Sequence, residues 1–252
     1  MKVVLIGSGN VSTHLAKALN SAGHEILQVY SRNIGHATEL ALQLQAQAVG
    51  EISELSANGD IYIIAVSDDA ISELASFFPY QQKLLVHTSG TADISVLEGA
   101  SDFTGVFYPL QTFSKQKDLN FREIPLLVEG LTAEVTEVLV SLASDISDHV
   151  QIVNSSQRRV LHLAAVFACN FSNHMFAIAT RILNEEGLSF DLLGPLIRET
   201  VSKALALPPE QVQTGPAVRR DYSTLERQLQ DLASKPQLQE LYEKISRSIM
   251  NF

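Results

Sequence analysis

Gly7-Ser8-Gly9-Asn10-Val11-Ser12 follows directly on the apolar run at residues 2–6. Glycines two apart where a strand turns into a helix can do one kind of chemistry well. The first permits the tight turn, the second lets backbone approach a pyrophosphate, and the amides opening the helix offer donors together with the positive end of its dipole. Gly7, Ser8, Gly9, Asn10 and Val11 are therefore candidate dinucleotide contacts, with Ser12 in the third small position, where helix packs on strand.

The next expected strand end decides which dinucleotide. A carboxylate there would accept hydrogen bonds from ribose hydroxyls and repel a phosphate, but the chain offers Tyr30-Ser31-Arg32-Asn33, with no acid. Arg32 suits a 2′-phosphate, with Ser31 and Asn33 as supporting donors, so NADP (NADPH) is expected over NAD. Val66-Ser67-Asp68 and His87-Thr88-Ser89-Gly90 follow two further expected strands and belong to the same crevice, at the nicotinamide half. Asp68 or Asp69 is also a candidate cap for the helix that follows. His87 is a candidate proton donor, with a structural role equally open. The run 107–113 brings Tyr108 to the crevice with two phenyl rings.

Polar residues also gather on a long apolar segment. At about 100° per residue from His162, Asn170 falls near 80°, Asn173 near 20° and His174 near 120°. Such a face reads equally as a lined cavity or as a polar network between helices, since buried amides and imidazoles need partners. Downstream, Arg219 and Asp221 could hold a carboxylate-bearing substrate or pair with each other.

The elements that must position these groups follow from pattern. Apolar runs at 2–6, 26–30, 60–66, 83–87, 105–108 and 124–128 alternate with amphipathic stretches, the pattern of strands joined by crossover helices. Several are apolar without alternation, as a sheet covered on both faces requires. The expected fold is α/β, a doubly wound Rossmann-type parallel sheet over 1–153, followed by a helical substrate and dimerisation domain over 154–252. Residues 155–186 lack Gly and Pro and read as one buried helix of roughly 48 Å. Leu225, Leu229, Leu232, Leu238, Leu241, Ile245 and Ile249 form a later stripe, interrupted at Lys235-Pro236.

Composition narrows the function. The chain has 252 residues, 28 acidic against 18 basic, and a net charge of −10, which argues against nucleic-acid binding. A single cysteine, Cys169, excludes an intrachain disulfide and fits a reducing compartment. No apolar run is expected to serve as a signal peptide or to cross a bilayer, and the reading is of a soluble, cytoplasmic protein with no membrane partner.

Together these residues resemble the two-domain reductases that include pyrroline-5-carboxylate reductase, ketopantoate reductase and 6-phosphogluconate dehydrogenase. The chain is more closely similar to a bacterial family that joins a Rossmann-like domain to a helical domain of unknown function and is described as NADP oxidoreductases. The specific pieces are 87–90, 107–113, His162 with Asn170, and Thr214-Gly215-Pro216 with Arg219 and Asp221. Tyr108 and Arg220 depart from that family, which more often has His and Gly there. Where the related hydroxyacid dehydrogenases carry a Lys four residues before an Asn, this chain has Val166 before Asn170.

The resemblance implies an all-α C-terminal domain of the 6-phosphogluconate dehydrogenase type and a homodimer through it. It also implies hydride transfer between NADPH and a small C=O or C=N substrate at the domain crevice. Asn170 would orient that substrate, with His162 or His87 as general acid and Tyr108, Asn173, Arg219 and Asp221 as substrate contacts; no metal is expected. The rival reading is a non-catalytic NADP-binding sensor or interaction protein, which the missing lysine favours. Hydride exchange between NADP and a deazaflavin is a further alternative.

Overall fold

The computed structural model describes residues 1–252. Eight strands form one sheet: β1 (Lys2–Ile6), β2 (Glu25–Tyr30), β3 (Gln47–Val49), β4 (Ile61–Ile64), β5 (Leu84–His87), β6 (Phe103–Pro109), β7 (Leu126–Gly130) and β8 (Val150–Ile152). Their order is β3-β2-β1-β4-β5-β6-β7-β8. Chain direction away from β1 reverses between β2 and β4, and the carboxyl ends beside that switch point are where a doubly wound sheet leaves a crevice. β3 and β8, three residues each, are too short to give a periodic signal and are absent from the sequence expectation.

The sheet is parallel from β3 through β6, but β7 runs antiparallel to β6 and β8 parallel to β7. This corrects the all-parallel expectation. No helix of eight or more residues separates β6 from β7, so nothing returns the chain to the starting end of the sheet. Both faces are covered, as the unbroken apolar runs require. Val3 and Leu5 belong to one buried cluster, with residues of α1 (Asn10–Ser21), α2 (Ile34–Leu44) and α4 (Ala133–Ile146). Val4 and Ile6 belong to the other, with Ile71 and Leu74 of α3 (Asp68–Ser76).

From Ser155 to Glu185 the chain is one helix of 31 residues, but not a uniform one. α5 (Ser155–Ala165) passes into a π-helical turn at Val166–Phe171, and α6 (Ser172–Glu185) follows. The π turn closes bonds one residue wider than an α turn, so it rotates everything after Ala165 away from a 100° projection. The expectation of burial fails as well. Val160, Leu163 and Phe167 are 66%, 59% and 63% exposed, because nothing in the single chain covers them. The helix is also long and apolar enough, by length and composition, to cross a bilayer, correcting the expectation that no segment qualifies. That expectation took its apolar circumference for core.

The chain divides into two compact units, Met1–Asn173 and His174–Phe252. The second is entirely helical, with α7 (Gly194–Ala206), α8 (Pro209–Val212), α9 (Tyr222–Asp231) and α10 (Pro236–Asn251) after α6. The leucine stripe falls on α9, α10 and their connection. Leu225, Leu232, Leu238 and Leu241 line an apolar cavity of about 290 Å³ together with Met175 and Ile178 of α6.

Candidate functional site

The carboxyl ends of β1, β2, β4 and β5 open onto one cavity of about 610 Å³, within the range of small-ligand and cofactor sites. Every residue expected to contact the nucleotide lines it: Gly7 through Val11, Ser31 to Asn33, Val66 to Asp68 and Thr88 to Gly90. Tyr108 and His162 line it too, with His36 and Gln111, which the sequence reading did not single out. His36 lies in the first turn of α2, three residues past Asn33, so helical spacing was the signal that could have found it.

The two glycines of the first turn exist for different reasons. Gly7 has φ +127°, and a Cβ there would lie 2.2 Å from the Ala65 carbonyl oxygen, so the fold itself demands glycine. Gly9 has φ −78°, which any residue adopts, and a Cβ would meet nothing within 4 Å. No protein atom explains Gly9, whereas a ligand brought against the main chain does. Its surroundings fit that ligand: Gly9 caps α1 without any side-chain hydrogen bond, and no acid occupies the first turn, so the leading amides keep their donors for an anion. Behind the turn, Ser12 is fully buried and its Oγ donates to the Gly7 carbonyl at 2.6 Å.

At the end of β2, Arg32 is exposed and forms no hydrogen bond or ion pair within the chain, leaving its whole fork available. Asn33 is partly committed, since its side chain accepts from Gly35 N at 3.0 Å and caps α2. The expected capping by Asp68 or Asp69 is corrected. Ser67 holds the N-cap position of α3, both acids sit in the first turn where the dipole favours them, and Asp68 accepts from Thr91 Oγ1. Ser89 Oγ accepts from Thr91 N at 3.0 Å and Ala92 N at 2.9 Å, fixing the loop after β5.

His87 does not reach the cavity. It is fully buried, its Nδ1 accepts from Ser89 N at 3.1 Å, and burial, then the charge of Arg158, lowers its pKa from 6.5 to about 4. A buried imidazole held neutral and away from the cavity wall is corrected from candidate general acid to a structural support. His162 is placed differently. From α5 it meets the end of β6, where Tyr108 Oη lies 3.1 Å from its Nδ1.

What holds α5 in place is a residue that sequence reasoning missed. Arg158, one turn before His162, is fully buried, pairs with Glu129 of β7 at 2.6 Å, donates to Ser155 Oγ at 3.0 Å, and also bonds the Ala92 carbonyl. No sequence signal separates it from its neighbour: α5 opens on the polar run Ser155-Ser156-Gln157-Arg158-Arg159, and Arg159 is exposed and pairs with Asp93 at 3.0 Å.

Other expected contacts are not gathered here. Asn170 lies in the π turn and Asn173 at the start of α6, both exposed and outside the cavity lining, so the shared polar face drawn at 100° per residue does not survive the π turn. In the helical unit, Asp221 caps α9, accepting from Thr224 N at 3.2 Å and Ser223 Oγ at 3.0 Å. Those bonds, with the nearby charge of Arg219, hold its carboxyl below the usual range. Arg219 is exposed and makes no ion pair with it. Arg220, where the resembling family more often has Gly, stands at φ +54°, a conformation glycine takes without penalty.

Comparison with known proteins agrees with this geometry. Residues 2–90 match the family described as NADP oxidoreductase, coenzyme F420-dependent, and residues 124–249 match a domain of unknown function, DUF2520. A crystal structure from Bacteroides fragilis, named "putative NADP oxidoreductase", is 43% identical with a TM-score of 0.95, over 100% of this chain and 98% of that one. Lower identity accompanies a shared fold in two others. A Streptococcus pyogenes 1-pyrroline-5-carboxylate reductase is 12% identical (TM-score 0.65, 100% and 99% covered). An imine reductase from Myxococcus stipitatus, solved with NADP+, is 15% identical (TM-score 0.67, 100% and 92% covered). Among proteins with curated descriptions, none matches the chain.

Proposed function

The chain belongs to the NADP oxidoreductase family that includes the Bacteroides fragilis protein, and from that premise we propose that it transfers hydride between NADPH and a small C=O or C=N substrate held beside Tyr108 and His162. The observation that carries the reading is one cavity, bounded at one end by the unexplained Gly9 and the unpaired Arg32 and at the other by a hydrogen-bonded Tyr–His pair. The amides opening α1 would receive the pyrophosphate, and Arg32 with Ser31 the 2′-phosphate. When bound, the nicotinamide supplies the hydride and its electron pair. Arg158 fixes the helix that carries His162, and the Tyr108–His162 pair supplies the proton that the reduced heteroatom requires.

The reading includes a soluble, cytoplasmic homodimer. A second copy would cover Val160, Leu163 and Phe167, large apolar side chains that are each more than half exposed in the single chain. Sedimentation of the purified chain checks this, and a monomer contradicts it. Turnover is tested by following NADPH absorbance against cyclic imines and 2-oxo acids. Consumption with at least one class supports the reading, whereas tight NADPH binding without any turnover supports a sensor. A second reading, hydride exchange with a deazaflavin, is favoured by the coenzyme F420-dependent description of the family matched at residues 2–90. It is tested by adding a reduced deazaflavin with NADP+ to the same assay.

A further inference from the structure

Tyr108 and His162 reach each other from separate elements, the end of β6 and the third turn of α5. Between them lies Gly90, in the loop after β5. Its φ lies outside the left-handed region, so the backbone does not require glycine there. The space does: a Cβ would lie 2.6 Å from His162 Nδ1 and 2.8 Å from Tyr108 Cζ and Oη. Glycine at this place leaves room for the two rings to meet, and both line the cavity that also holds the nucleotide turn.

We infer that Tyr108 Oη is the atom that gives the proton to the substrate, and that His162 Nδ1 re-protonates it, making the pair a two-step relay. The inference rests on the reductase reading above and assigns the proton donor within it. With His162 neutral and its proton on Nε2, the Tyr108 O–H is committed to Nδ1. Once the imidazole is protonated at Nδ1, it donates to Oη instead, and the phenolic proton is free to point at the substrate.

The substrate heteroatom takes the Tyr108 proton as the C=O or C=N π pair moves onto it, while the carbon receives hydride from reduced nicotinamide. The phenolate oxygen then takes the Nδ1 proton, leaving neutral imidazole to be recharged from water. Atoms and charge balance with NADPH as the only reductant. The charged groups acting on Tyr108 are Arg158 from α5 and Asp68 from α3, and the loop carrying Ser89 and Gly90 adds none. Burial raises the phenol's pKa, which makes Tyr108 a weaker acid by itself and leaves its transfer dependent on the imidazolium that donates to Oη.

The test uses the full-length protein labelled with 13C at tyrosine Cζ, titrated by NMR as wild type and His162→Gln, with Tyr108→Phe to assign the signal. NADPH affinity by fluorescence and NADPH consumption with the imine and oxo-acid panel are measured alongside. The Tyr108 resonance is expected to move with the same midpoint as the His162 ring and to lose that transition in His162→Gln. Tyr108→Phe should lower kcat by about 100-fold or more while NADPH affinity stays within about twofold. In His162→Gln, kcat for reduction should no longer fall with rising pH.

A Tyr108 signal indifferent to His162, or full turnover by Tyr108→Phe, overturns the relay. Turnover lost in His162→Gln but kept in Tyr108→Phe makes His162 the direct donor and also overturns it. Wild type that binds NADPH but consumes it with no member of the panel removes the reductase reading, and the donor role with it.

Discussion

The two ends of the cavity are built by different means. At the nucleotide end, main-chain geometry does the work: Gly7 turns because its φ is positive and Ala65 allows no side chain, and the amides of α1 stay uncapped. At the α5 end, side chains do it. Arg158 reaches through the buried interior to Glu129 and Ala92, and the Tyr108–His162 pair closes over a glycine. Main-chain sites depend on a few local residues and survive changes elsewhere. Side-chain sites depend on long-range partners and fail when one is removed.

The largest effect should come from breaking the side-chain end. Glu129→Gln leaves the Arg158 guanidinium buried without a counter-charge, which costs about 3 to 5 kcal/mol in denaturant unfolding, whereas removing a ribose-side residue leaves stability unchanged. His87 lies under the loop that borders the cavity and adds a pH signature. Its folded pKa is depressed, so the unfolded chain binds the extra proton first as pH falls from the ordinary 6.5 towards about 4. Stability is fully present above 6.5 and is lost through that window by roughly 3 kcal/mol. Unfolding curves taken across it should show the slope, and His87→Gln should flatten it.

At the nucleotide end, where Arg32 adds a side-chain contact to the main-chain turn, Arg32→Ala should weaken NADPH by about tenfold, about 1.4 kcal/mol, and leave NADH unchanged, measured by fluorescence titration. Equal loss for both would move Arg32 out of the phosphate site. The smallest effect concerns backbone conformation alone. Arg220→Gly, relieving a non-glycine residue at φ +54°, should stabilise the chain by about 0.5 kcal/mol in its denaturant midpoint.

The same contrast explains what could be read from sequence. The turn at Gly7 to Val11, the acid-free end at Ser31 to Asn33 and the β5 loop at Thr88 to Gly90 are local, and strand, turn and helix in order were enough to bring them to one cavity. The strand at β7 was expected but its direction was not, because antiparallel and parallel strands share the same apolar pattern when both faces are covered. Asn170 was misplaced because a π turn leaves no mark in a hydrophobic period, and the long helix was taken for core because an apolar circumference does not say what covers it. Arg158 and Glu129 lie 29 residues apart, a pairing that no spacing rule reveals.

Calorimetric titration of NADPH into wild type and Gly9→Val, with thermal unfolding run on both, tests the central claim most directly. The Gly9 Cβ position meets no protein atom, so the variant should melt with the wild type yet lose affinity by about 100-fold or more, about 3 kcal/mol. Unchanged NADPH heat in a normally folded Gly9→Val, or no heat with the wild type, contradicts it.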